Sequence, residues 1–201
     1  MRKLFALTAV FALFVAANAE AANVTFSHNA LGRDVTTEEV NDANGPSADN
    51  KVYDFFLTSD ADVLRVGDVF IEGGVSLYNN AAGSDTMPPN PLFIPVFPSL
   101  AADSWITTPG GGTATAGGGL GDDNASWFDT TNDGPQNNFQ FARITTPGSG
   151  PYVLRGVVSV SGSAGPETFP FELSFGIPEP TSFVLLGLGM VGLVGARRRN
   201  G

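Results

Sequence analysis

The chain predicts an all-β fold, a β-sandwich of the jelly-roll or immunoglobulin-like kind, with an N-terminal signal helix and a C-terminal transmembrane helix outside it. Three observations predict it. Thr168-Phe169-Pro170-Phe171-Glu172-Leu173-Ser174-Phe175 alternates with period two, which puts Phe169, Phe171, Leu173 and Phe175 on one face and the polar residues with Pro170 on the other. Short apolar runs recur between clusters of Gly, Pro, Asn and Asp. Between residues 23 and 177 no segment sustains a helical period over three turns.

From the amino terminus, Arg2-Lys3 precedes the apolar run Leu4 to Ala17, and Ala17-Asn18-Ala19-Glu20-Ala21-Ala22 offers Ala-x-Ala cuts after Ala19 and after Ala21. Residues 1–22 therefore read as a signal peptide removed by signal peptidase. The β-sandwich domain follows over residues 23–177. Its early strands are expected at Val24 to His28, Lys51 to Thr58, Val63 to Ile71 and Val75 to Tyr78. Later ones are expected at Ser104 to Thr107, Ser126 to Asp129 and Phe139 to Ile144. Tyr152, Leu154, Val158 and Val160 share a face, and Ser161-Gly-Ser-Ala-Gly-Pro-Glu167 is turn chemistry, so this run and Thr168 to Phe175 predict a hairpin with a loop longer than the tightest class. Pro170 cannot donate to a ladder, which argues for an edge position or an unpaired amide site in its strand. The expected core includes Phe169, Phe171, Leu173, Phe175, Leu154 and Val158.

Three segments interrupt the strands. Asn41 to Asp49 is a polar loop. Met87 to Ser99 sets five prolines among Leu92, Phe93, Ile94, Val96 and Phe97. It is expected to cross the molecule with its aromatics plugging one end of the core, the alternative being an apolar recognition surface. Thr108 to Gly121 is a glycine-rich surface loop without the lysine or the strand-to-helix setting of a phosphate-binding loop.

Composition excludes several function classes. Five basic residues (Arg33, Lys51, Arg65, Arg143 and Arg155) face 19 acids between residues 23 and 180, a net charge of about −14. So acidic a surface is no partner for nucleic acid, whose binding depends on phosphate neutralisation by Lys and Arg. Without a cysteine the exported domain must rely on packing. His28 is the single histidine, which removes Cys–His nucleophiles and multi-histidine zinc sites, and no Gly-x-Ser-x-Gly elbow accompanies it. With Val24 and Phe26 beside it, His28 reads as a packed or edge residue. No catalytic residue and no enzyme activity are assigned.

One metal site is a candidate. Asp129, Thr131 and Asp133 stand at alternate positions before Gly134, as in the first half of a calcium loop, and Asp122 or Asp123 could add oxygens. Thr131 replaces an acid there, and Gln140, an uncharged amide, holds the place of the closing glutamate. The alternative is an Asx turn joining two strands. Hard oxygen ligands make Ca2+ the only cofactor considered.

The carboxyl end carries the most specific signal, over residues 178–201. Pro178-Glu179-Pro180 is followed by 16 uncharged residues from Thr181 to Ala196 and then by Arg197, Arg198 and Arg199. As a helix this run would reach about 24 Å, short against a hydrocarbon core of about 30 Å, yet able to stop in a thinned bilayer. The arginines put that end in the cytoplasm and the domain outside. The tripeptide, apolar span and arginine cluster together resemble the PEP-CTERM sorting signal of exported bacterial proteins. The resemblance implies processing near the tripeptide by an exosortase, in cells that make extracellular polysaccharide. The expected function is thus an exported cell-surface or matrix protein, associated with exopolysaccharide or biofilm and transiently membrane-anchored by its tail. The alternative is a secreted carbohydrate-binding or carbohydrate-cleaving module stacking sugars on Trp105, Trp127 and Tyr78.

Overall fold

The computed structural model describes residues 21–74, 76–111, 113–114, 125–148 and 150–176. The expected signal and transmembrane helices lie outside them. The described residues form one connected antiparallel sheet organised on a single long strand, with β1 at Val24–His28, β2 at Arg33–Asp34 and β3 at Asn50–Glu72. A short helix α1, Thr37–Asn41, precedes β3, and a 3-10 turn, Pro98–Ala102, follows it. Beyond these come β4 (Trp105–Ile106), β5 (Thr113–Ala114), β6 (Ala125–Phe128), β7 (Pro135–Pro147), β8 (Tyr152–Gly162) and β9 (Gly165–Phe175).

The two strands expected at Lys51 to Thr58 and Val63 to Ile71 are one strand. Its register against β7 shifts at Phe55/Phe56, Leu57/Ser59 and Ser59/Asp62, and these bulges bend the chain without ending it. The Ser59 hydroxyl braces the bend by bonding the Ala61 carbonyl and accepting from the Ala61 amide. The first half of β3 pairs with β1, β2 and β7, and the second half with β6 and β8. Every other residue of the first half, Tyr53, Phe55 and Leu57, points into the core; after the bend Val63, Val66 and Val69 do so.

The β8–β9 hairpin closes the core. Gly162 pairs with Gly165, leaving only Ser163 and Ala164 in the turn, a correction to the longer loop expected. Gly165 holds φ +132°, open to glycine and strained for other residues, so the chain reverses at once. Phe171 and Phe175 are buried, with Phe169 and Leu173 half-buried against the same cluster, as the alternation requires. Phe175 lies edge-on to Phe55 at 5.3 Å between ring centroids, and Phe171 to Phe141 at 5.6 Å. Leu154 and Val158 of β8 are fully enclosed. Among the described residues β9 pairs with β8 alone, which accommodates Pro170.

Two further expectations change. Ser76 to Tyr78 is not a strand, because Gly73 and Gly74, at φ +119° and +61°, turn the chain out of the sheet. The helix α1 was missed, although Thr36 and Glu39 form a capping box legible as Thr-x-x-Glu. Glu39 also reaches Arg33 at 2.7 Å, and the Arg33 guanidinium donates on to the Ala101 carbonyl. Arg143 donates to the same carbonyl. The helix and the 3-10 turn are thereby tied to each other through Arg33 of β2, and the turn also to Arg143 of β7.

Candidate functional site

The loop after β6 brings Asp129, Thr131 and Asp133 together. The Thr131 hydroxyl lies 2.6 Å from Asp129 Oδ1 and 2.8 Å from Asp133 Oδ2, and the Thr131 amide donates to Asp129 Oδ1. The other Asp129 oxygen accepts from the Gly110 amide. Asp62, buried at the bend of β3, accepts from the amides of Asp133 and Gly134 with one oxygen. The arrangement is that of an Asx turn fastened to a bulge, with Asp129 and Asp62 serving backbone donors and Asp133 the Thr131 hydroxyl. Gln140 turns away to donate to Asp54, so it does not close a loop around Asp129. Among the described residues no group of three or more His, Cys, Asp and Glu could hold a metal ion. Asp122 and Asp123 lie outside the described residues.

The aromatic residues offered as a sugar platform are not one. Trp105 is 3% exposed and Trp127 0%, so both are core, and Tyr78 donates its hydroxyl to the Asn44 carbonyl. Buried indoles present no face on which a sugar ring could stack. His28 stacks on Phe55 at 5.6 Å, and its Nε2 lies 2.7 Å from the Ser174 carbonyl, fastening β1 to β9. This is the packed edge role expected for it. An open cleft of about 570 Å³ beside the Gly67 bulge is lined by Asp68, Arg155, Gly156 and Glu172, but Arg155 is engaged by Glu72 and Glu172.

The proline-rich segment overturns its expectation. Leu92 is 80% exposed, Val96 67%, Phe93 55% and Phe97 46%, so these residues do not plug the core. The prolines deny the segment ladder hydrogen bonds, and it folds into local turns, with the Val96 and Phe97 amides donating to the Phe93 carbonyl. Its base is nevertheless fixed. Asp103 accepts from the amides of Asn80 and Ser84, and Ser99 donates both hydroxyl and amide to Asp42. Burial pushes the Asp103 carboxyl above its ordinary value, while those two hydrogen bonds work against the shift.

Gly176 follows β9 directly and is the last described residue. Its amide donates to the Ala30 carbonyl at 2.9 Å, and a side chain there would meet the Gly150 carbonyl and the Tyr152 ring. The Pro178-Glu179-Pro180 tripeptide begins two residues further along the sequence and lies outside the described residues. Arg197, Arg198 and Arg199 lie outside the described residues with it.

The molecule is thus a cysteine-free all-β domain with a separate carboxyl-terminal signal. Residues 176–199 match the PEP-CTERM protein-sorting motif, the mark of an exported, envelope-associated protein processed by exosortase. No curated protein and no solved structure matches the chain. Among the described residues no helix is long and apolar enough to cross a membrane.

Proposed function

We propose that this chain is a non-enzymatic surface or matrix protein: a β-sandwich exported by a cleaved signal peptide, held at the membrane by its tail, then cut near Pro178-Glu179-Pro180 and delivered to extracellular polysaccharide. The observation that carries the reading is that the sorting motif, residues 176–199, begins in sequence where β9 ends at Phe175. All of β9 lies before Gly176, so a cut at the tripeptide keeps every described strand in the released part. The ring contacts of Phe175 with Phe55 and of Phe171 with Phe141 support two layers facing each other across one core, as in a sandwich. The charge of the body favours solubility in a hydrated matrix.

Mass spectrometry of the native protein, from cells with and without the processing enzyme, tests the reading. Surface molecules should lack both apolar ends, and loss of the enzyme should restore peptides spanning Pro180 to Arg199. Recovery of those peptides from most surface molecules of normal cells would overturn the processing step. Retention of the mature chain by the cells' own purified polysaccharide, but not by an unrelated neutral glucan, is expected for the matrix role.

A further inference from the structure

We propose that the end of the domain carrying Leu31 and the exposed apolar segment Leu92 to Phe97 is a lipid contact surface, pressed against the outer leaflet while the tail is still attached. The inference rests on the membrane-held precursor described above and adds the face by which the domain meets the bilayer. Chain length supplies the first argument. Only five peptide steps separate Gly176, tied to Ala30, from Thr181, where the apolar run starts. Fully extended they span at most ~17 Å. The polar headgroup layer takes up much of that distance, and a 16-residue span draws its flanks inward because it is shorter than the hydrocarbon core. The Gly176 end of the domain is therefore held at the membrane surface.

The second argument is what that end displays. Leu31, next to the Ala30 that anchors Gly176, is 49% exposed. β2 pairs with the start of β3 beside it, and Arg33 of β2 clamps the Ala101 carbonyl. This holds the proline-rich segment at the same end of β3, where Ser99 is bound to Asp42 in the loop leading into that strand. Leu92, Phe93, Val96 and Phe97 thus form an apolar patch on a fixed base, without an ionisable residue from Thr86 to Ala102. Water would be a costly neighbour for such a cluster, and an interface rich in acyl chains a favourable one. An anionic protein gains nothing from anionic lipid, so the contact is apolar and needs the tail to concentrate the domain at the surface.

The absence of cysteine makes the test direct. The signal-cleaved chain with its tail, residues 23–201, is reconstituted into zwitterionic phosphatidylcholine vesicles with a polarity-sensitive fluorophore on one introduced cysteine. The variants are Leu92→Cys, Leu188→Cys in the tail, and Ser163→Cys at the opposite tip of the β8–β9 hairpin. Doxyl-labelled lipids should quench the Leu188→Cys label deeply and the Leu92→Cys label at shallow depth, with a blue shift at both, and leave the Ser163→Cys label unaffected. Quenching at Leu188→Cys without any at Leu92→Cys would overturn the lipid contact and leave the anchored tail standing. No quenching at Leu188→Cys would overturn the anchored precursor and the contact with it. Equal quenching at Leu92→Cys and Ser163→Cys would mean that no particular face is presented.

Discussion

Phe171 shows how one ring sets a register. It is nearly enclosed, lies 5.1 Å from Phe26 and 5.6 Å from Phe141, and covers Gly156, where a methyl group would strike its ring. Phe171→Ala should cost about 3–5 kcal/mol in urea unfolding, because the surrounding strands cannot collapse onto the space. Glu39 links burial to pH. Burial alone would raise its carboxyl, but the Arg33 guanidinium and the Thr36 amide outweigh it and hold the group below its ordinary 4.5. A carboxyl depressed in the fold adds stability that is fully present above its unfolded value and is lost as pH falls through the folded one. Glu39→Gln should therefore cost about 1–3 kcal/mol at neutral pH, the solvent at Arg33 keeping it moderate, with the gap to the parent closing below pH 4.5. At Asp129 one oxygen accepts from the amide and hydroxyl of Thr131 and the other from the Gly110 amide alone, which leaves a lone pair for a cation. Calcium held there should raise the thermal midpoint above that in magnesium at equal ionic strength, a rise lost in Asp129→Asn with Asp133→Asn; coinciding midpoints would leave the stretch an Asx turn.

Among the elements, the β8–β9 hairpin was the most legible, because two alternating runs flank obvious turn chemistry. Its loop length was not legible, since Gly162, Gly165 and Pro166 resemble loop residues until their pairing is seen. Gly165→Ala forces a Cβ onto φ +132° and should destabilise the domain by about 1–3 kcal/mol in chemical unfolding, with Gly74→Ala, also at positive φ but outside the sheet, as the comparison. β3 was read as two strands because Ser59-Asp60-Ala61-Asp62 looks like a turn. A bulge and a turn use the same polar residues, and only the partners decide between them. Here Asp62 is captured by the amides of Asp133 and Gly134, from the other end of the chain sequence, so the strand bends and continues.

For the whole molecule, the position of every described strand before the sorting motif predicts that removing residues 178–201 leaves the thermal midpoint of the signal-cleaved chain unchanged, a point that calorimetry checks directly. A clear fall would mean that the tail is part of the folded unit. The sequence by itself determined the carboxyl-terminal sorting motif, the mostly β class, the hairpin faces and the exclusion of Cys–His nucleophiles and multi-histidine zinc sites, because these depend on local order, period and simple counts. Only the tertiary structure decided which apolar residues are core. Trp105 and Trp127 are enclosed, whereas Leu92, Phe93, Val96 and Phe97 stand in the open, though all six are equally apolar on paper. The physical reason is that burial belongs to pairs of surfaces. A residue is enclosed when another strand has an amide ladder and a face to offer it, and five prolines between Met87 and Ser99 leave that segment no ladder with which to join the sheet.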